Sequence, residues 1–162
     1  MERQRLPLAA IGWDFQAESL LDAIGIQPGW TCLDLGCGPA GILASLSRRV
    51  GPTGFVVGVD LDAEHLAGAR ALVHDARLTN VEILKRDVYR TGLPRDAFDF
   101  AYARLTSVTT ARHEELLTEV LGLTRPGGLV ALQCVTWTAP TCLRGIAVWG
   151  HKTGTEVFAC HA

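Results

Sequence analysis

The stretch Thr31-Cys-Leu-Asp-Leu-Gly-Cys-Gly-Pro-Ala-Gly41 decides how the rest of the chain is read. An apolar run carrying one acid, Asp34, gives way to Gly36, Gly38 and Gly41 at the spacing G-x-G-x-x-G. Ile42, Leu43, Leu46 and Val50 then follow at helical intervals. The pattern predicts a strand, a tight turn and a helix start. Such a turn lets backbone approach a ligand closely and aims free helix N–H groups at it. Three glycines say little in a chain that has 17 of them, so the acid two residues before the first glycine carries the information. A dinucleotide would set its pyrophosphate on this turn, where a carboxylate repels it. A ligand bearing an ammonium group is suited to the same place.

Outward from this stretch, helices and strands alternate. Upstream, Trp13 and Phe15 offer aromatic packing, and Ala17, Leu20, Leu21 and Ile24 recur at helical spacing before Gly25. Gln27-Pro28-Gly29 turns into the first strand, Trp30 to Leu35. Downstream, the helix after the glycines closes at Gly51-Pro52, and Phe55 to Asp60 forms a continuous apolar strand of the kind buried on both faces. Asp62 is placed to cap a helix with the stripe Leu66, Ala69 and Val73. Val81 to Lys85 and Phe98 to Ala103 read as the third and fourth strands, with a loop over Tyr89 to Asp96 between them. A helix over Arg112 to Leu123 follows, with Leu116, Leu117, Val120 and Leu121 on its inner face. Arg125 to Gly128 breaks it before a fifth strand, Leu129 to Val135. The expected fold is α/β, doubly wound, with a mainly parallel sheet and helices on both faces.

The pattern changes after Val135. Thr136 to Arg144 contains Pro140 and is too short for a crossover to another parallel strand. Ile146 to Trp149 and Thr155 to Cys160 are expected as short strands joined through Gly150 to Gly154, so 136–162 reads as an irregular segment appended to a 1–135 core. Strand five expects a neighbour on its open apolar edge, which only Ile146 to Cys160 could supply, and an edge left uncovered invites self-association.

Composition narrows the function. A chain of 162 residues, 48% of them hydrophobic, builds one domain with a real core. Its net charge of −2 gives no electrostatic attraction to nucleic acid or to an anionic membrane. The opening residues show no signal-peptide pattern, and no apolar run reaches membrane-spanning length, so a cytoplasmic location is expected. The five cysteines form no CxxC pair. His151, Cys160, His161 and Cys142 lack zinc-site spacing, and no metal is expected. His65 and His74 fall on a helix taken to lie away from the strand ends.

Between about Pro28 and Gln133 the residues resemble the class I S-adenosylmethionine-dependent methyltransferases, whose first motif reads strand, acid, x, Gly, x, Gly. The resemblance implies S-adenosylmethionine as cofactor. It implies that Asp34 and the backbone of Gly36, Cys37 and Gly38 receive its methionine part. Asp60, about 20 residues past the last glycine, would accept the ribose hydroxyls with Leu61 beside it. Asp87 and Val88 resemble the pair that meets adenine, and Arg104 falls where donor and acceptor border each other. After strand four the chain reads Ala103-Arg104-Leu105-Thr106, without the paired prolines of amide and exocyclic-amine methylating enzymes. A small-molecule O, N or C acceptor is therefore the expectation. Two rival readings stand beside it: an NAD(P)-binding oxidoreductase-like domain, and a cofactor-binding remnant without turnover.

Overall fold

The computed structural model of the protein describes residues 17–39, 41–104, 112–138 and 141–150, with residue 113 and residues 133–138 and 141–150 described by backbone alone. Trp13, Phe15, Leu105, Thr106, His151, Thr155–Cys160 and His161 lie outside the described residues, as does the side chain of Cys142.

Helix α1 occupies 17–24. It is followed by β1 (Thr31–Leu35), α2 (Leu43–Val50), β2 (Phe55–Asp60), α3 (Ala63–Asp75), β3 (Val81–Lys85), β4 (Phe98–Arg104), α4 (His113–Leu123), β5 (Thr124–Thr138) and β6 (Thr141–Gly150). The six strands form one sheet in the order β3-β2-β1-β4-β5-β6. The first five are parallel, and only β6 runs antiparallel to its neighbour.

Alternate residues of the central strands feed two cores, as a sheet covered on both faces requires. Cys32, Val56, Phe100, Tyr102 and Ala131 pack with Leu20 and Leu21 of α1 and Leu43, Leu46 and Val50 of α2. Leu33, Leu35, Val57, Val59, Ala101, Ala103 and Val130 pack with Leu116, Val120 and Leu123 of α4. Asp62 caps α3 as its position suggests, its Oδ1 accepting the N–H groups of Glu64 and His65 at 2.8 and 2.9 Å. Asp99 is structural: Oδ2 accepts the N–H of Thr31 at 2.7 Å and Oδ1 pairs with Arg125 at 2.6 Å. This pins the entrances of β1, β4 and β5 together, at the end of the sheet remote from the glycines.

The C-terminal strands depart from the sequence reading in three ways. First, β5 begins at Thr124, directly after α4, and Arg125–Gly128 bulges out between the pairs Phe98↔Thr124 and Phe100↔Leu129. Second, Ile146–Trp149 belongs to a longer strand, β6, that pairs back on β5, while the second short strand expected at Thr155–Cys160 lies outside the described residues. Only two residues separate Thr138 from Thr141, and a connection that short permits only an antiparallel neighbour. Third, the edge of strand five is not open. From Leu129↔Gly150 to Thr138↔Thr141, β6 covers it in continuous register.

Chain direction reverses its progress across the sheet between β1 and β4, since β2 and β3 lie to one side and β4 and β5 to the other. The carboxyl ends of β1 and β4 therefore flank the crevice where open α/β sheets place their ligands.

Candidate functional site

Asp34 lies in β1, beside Gly58 of β2 and Tyr102 of β4, and is only 2% exposed. Its Oδ2 accepts the N–H of Ile42 at 3.3 Å, at the point where α2 begins. Burial pushes the Asp34 carboxyl up to about 6; the Ile42 N–H and the positive charge of Arg104 oppose the shift, and the charge of Asp60 adds to it. The site's first acid is thus an interior group holding the helix start, not an acid open to solvent.

The glycine turn is closed by the protein itself. Gly36 and Cys37 both donate to the carbonyl oxygen of Val59, at 2.8 and 3.0 Å. Gly38 donates to Asp60 Oδ2 at 2.9 Å. The N–H groups of Gly36, Cys37, Gly38 and Ile42 are thus all spent within the fold. Gly38 (φ +59°) stands with nothing within 4 Å of where a Cβ would be, whereas at Gly41 (φ +38°) a Cβ would come 2.5 Å from the Cys37 carbonyl oxygen. Gly38 therefore faces open space and Gly41 seals the turn from below. Cys37 contributes backbone only, because its side chain is buried and burial raises its thiol well above the usual range.

Asp60 ends β2. Oδ1 accepts the N–H of Asp62 at 2.9 Å while Oδ2 holds Gly38, so one carboxylate ties the glycine turn to the approach of α3. A carboxylate accepts about four hydrogen bonds, which leaves Asp60 capacity for a ligand's hydroxyls. Leu61 is 59% exposed, so it is not a core residue, and it offers an apolar surface next to Asp60. Beyond β3, Asp87 Oδ1 accepts the N–H of Tyr89 at 2.9 Å, and Arg90 donates to the Asp87 carbonyl oxygen at 3.1 Å. Its carboxylate shapes this loop locally. Val88 packs against the second core. Arg104 closes β4 next to Gln133 of β5 and lends its charge to Asp34.

The structure thus brings Asp34, Gly36–Gly38, Asp60, Leu61 and Arg104 to one end of the sheet, with Asp87 and Val88 one strand further out. Two contributors escaped the sequence reading. His65, assigned to a helix remote from the strand ends, has its Nδ1 3.5 Å from Asp60 Oδ2. Gly68 lets α3 close on the turn, since a Cβ there would stand 2.7 Å from Pro39 Cβ. No set of three or more metal-ligating side chains occurs among the described residues. None of the described helices is long and apolar enough to cross a membrane.

The fold and this constellation define a class, and comparison with known proteins agrees. Residues 32–128 match the family model described as "Methyltransferase domain". The chain belongs to this methyltransferase family, in which S-adenosylmethionine is the cofactor. It is 37% identical over 117 residues to trans-aconitate 2-methyltransferase of Azoarcus sp., covering 72% of this chain and 44% of that one. It is 30% identical over 118 residues to demethylmenaquinone methyltransferase of Halalkalibacterium halodurans, covering 73% and 47%. The crystal structure of a SAM-dependent methyltransferase from Aquifex aeolicus superposes with a TM-score of 0.69 at 28% identity, covering 76% of this chain and 66% of that one. The chain spans just under half the length of these two curated relatives.

Proposed function

We propose that the chain forms the S-adenosylmethionine-binding part of an enzyme that methylates a small-molecule O, N or C acceptor. The observation that carries this reading is the occupation of the α2 N-terminus by Asp34. A nucleotide pyrophosphate needs the N–H groups of this turn, but Ile42 gives its own to Asp34 and Gly36, Cys37 and Gly38 give theirs to β2 and Asp60. A buried carboxylate already fills the anion's place, so NAD(P) is disfavoured and a cofactor carrying positive charge is not. The relatives' names, two of them small-molecule methyltransferases, support the acceptor class.

In this reading the open face of Gly38 admits the cofactor's methionine part and Asp34 sets the field beneath it. Asp60 takes the ribose hydroxyls on its remaining lone pairs, Leu61 covers one side of the sugar, and Asp87 with Val88 borders the adenine. Arg104 stands toward the acceptor. Bound S-adenosylmethionine supplies a methyl group already activated by its sulfonium charge. What remains for the protein is to align the partners and keep water out, and no general base is required. The 1–135 core carries this site, β6 completes the sheet edge, and the protein works in the cytoplasm without metal, nucleic acid or membrane.

Parallel calorimetric titrations with S-adenosylhomocysteine and NADH test the reading. Saturable binding of the first and none of the second is expected, and NADH binding in its place would refute it.

A further inference from the structure

We propose that His65 is a positioning residue of the cofactor site, holding the Asp60 carboxylate in the orientation that presents it to the ribose. The inference rests on the cofactor reading above and extends it to a residue outside the first motif.

Two backbone donors hold Asp60, and one imidazole stands beside it. Its Oδ1 is fixed by the Asp62 N–H and its Oδ2 by the Gly38 N–H, both at 2.9 Å, and His65 Nδ1 stands 3.5 Å from the same Oδ2. The two backbone donors come from segments on either side of the crevice floor, so they fix where the carboxylate sits. The imidazole is half exposed at 51% while Asp60 is only 13% exposed. It reaches this place because α3 lies directly against the turn: Asp62 caps its first residues, and Gly68, one turn further along, meets Pro39.

Backbone donors are the same at every pH, whereas an imidazole gains its charge in the mildly acidic range. A protonated His65 gives Asp60 a third, charge-assisted partner and restricts its rotation. The unprotonated ring offers the carboxylate no charge. Pre-positioning of Asp60 should therefore strengthen as pH falls and fade as pH rises. Other charges face this corner. Asp62 lies in the same turn and feels both His65 and Lys85, and Arg70, Asp34 and Asp60 all act on the neighbouring Cys37. Asp34, raised to about 6, also changes charge near the lower end of the pH interval, so the pH dependence of the parent protein alone would not isolate His65. The difference between parent and variant at each pH does.

The test is calorimetric titration of S-adenosylhomocysteine into the parent, His65→Ala and His65→Gln proteins at about pH 6 and about pH 8.5, bracketing the imidazole range. At the lower pH both variants should bind roughly three- to fivefold more weakly than the parent, as for a partly exposed ion pair. At the higher pH the three proteins should agree. Equal affinities at both values, tighter binding by either variant, or a loss of the same size at both values would overturn the assignment. A loss independent of pH would mark a structural role instead. If the parent itself binds no S-adenosylhomocysteine at either pH, the cofactor reading fails first and independently of His65.

Discussion

The carboxylate of Asp34 lies directly under Gly41: a Cβ on that glycine would stand 2.7 Å from Asp34 Oδ2 and 2.5 Å from the Cys37 carbonyl oxygen. Neither neighbour can give way, since one is backbone and the other is a buried group bound to Ile42. Gly41→Ala should therefore destabilise the fold by about 2–5 kcal/mol, the range of overpacking added to an unfavourable positive φ. Gly38→Ala meets no atom and should cost only the backbone penalty of about 1–2 kcal/mol while intruding on the open side of the turn. Urea unfolding of both variants, paired with S-adenosylhomocysteine titration, separates the sealed glycine from the open one. Equal losses of stability would show that the two positions do not differ as the structure has them.

Asp34 should also give stability a specific pH dependence. Its folded value, about 6, lies above the ordinary aspartate value of 3.8, so between these limits the folded state holds a proton that the unfolded state has released. Stability from this group is fully present below the unfolded value and is lost as pH rises through about 6. The loss is roughly 3 kcal/mol for a shift of this size in a fully buried group. Asp34→Asn should flatten the stability profile across that window and be no less stable than the parent near neutrality. The same variant should bind S-adenosylhomocysteine more weakly. Chemical denaturation at a series of pH values checks the first claim; a parent profile that rises through the window contradicts it.

The order of elements was legible because most apolar runs from Trp30 onward are bounded by Gly, Pro, Asn or Asp, and the periodicity changes where strand gives way to helix. The acids at the ends of β1, β2 and β3 were legible from the same punctuation. Hydrogen-bond direction was not. The spacing G-x-G-x-x-G fixes a turn, but whether its N–H groups face a ligand or the neighbouring strand depends on how β2 is registered, and here Val59 and Asp60 take three of them. His65 was missed for a similar reason. Its distance from Asp60 is set by how closely α3 approaches Pro39, which a glycine at position 68 decides and no helical periodicity records. The β5–β6 hairpin has no alternation or turn pair strong enough to mark it, and it follows only from the shortness of the connection.

Asp60 has a double task, and two substitutions can divide it. Asp60→Ala removes acceptors from Gly38 and Asp62 as well as from a ligand. Binding of S-adenosylhomocysteine should weaken by about 1.5–3 kcal/mol, the range for hydrogen bonds to a charged group, and the melting temperature should fall with it. Asp60→Asn keeps one acceptor oxygen but turns the other into a donor facing an N–H. It should therefore recover part of the stability without recovering the affinity. A fully restored dissociation constant in Asp60→Asn would remove Asp60 from the site.

Glu119 anchors the loop between β3 and β4 to α4. Its Oε1 accepts from the N–H and the hydroxyl of Thr91, at 2.9 and 2.7 Å, and Oε2 pairs with Arg95 at 2.8 Å. Burial acts to raise its pKa, but these partners outweigh it and hold the carboxyl below the usual glutamate value. The sign for stability is opposite to that of Asp34: the contribution is present above the unfolded value and is lost as pH falls through the depressed folded one. Glu119→Gln should destabilise by about 1.5–3 kcal/mol near neutrality, the range for hydrogen bonds to a charged group, and the deficit should shrink in acid. A deficit that stays constant from neutral to acid pH would refute the ionic origin.

The last prediction concerns β6. Its pairing with β5 runs from Leu129↔Gly150 to Thr138↔Thr141, so β5 has a hydrogen-bonded neighbour on each side, β4 on one and β6 on the other. Ending the chain after Thr138 would strip the second neighbour and leave a row of unpaired N–H and C=O groups along β5. Such an edge is a template for another chain. The shortened protein should therefore associate at concentrations where the full chain remains a single species, and its melting temperature should drop. Sedimentation velocity on both proteins decides the matter. If the full chain associates as strongly as the shortened one, then β6 does not protect β5 in solution, and self-association through the strand-five edge returns as the better description.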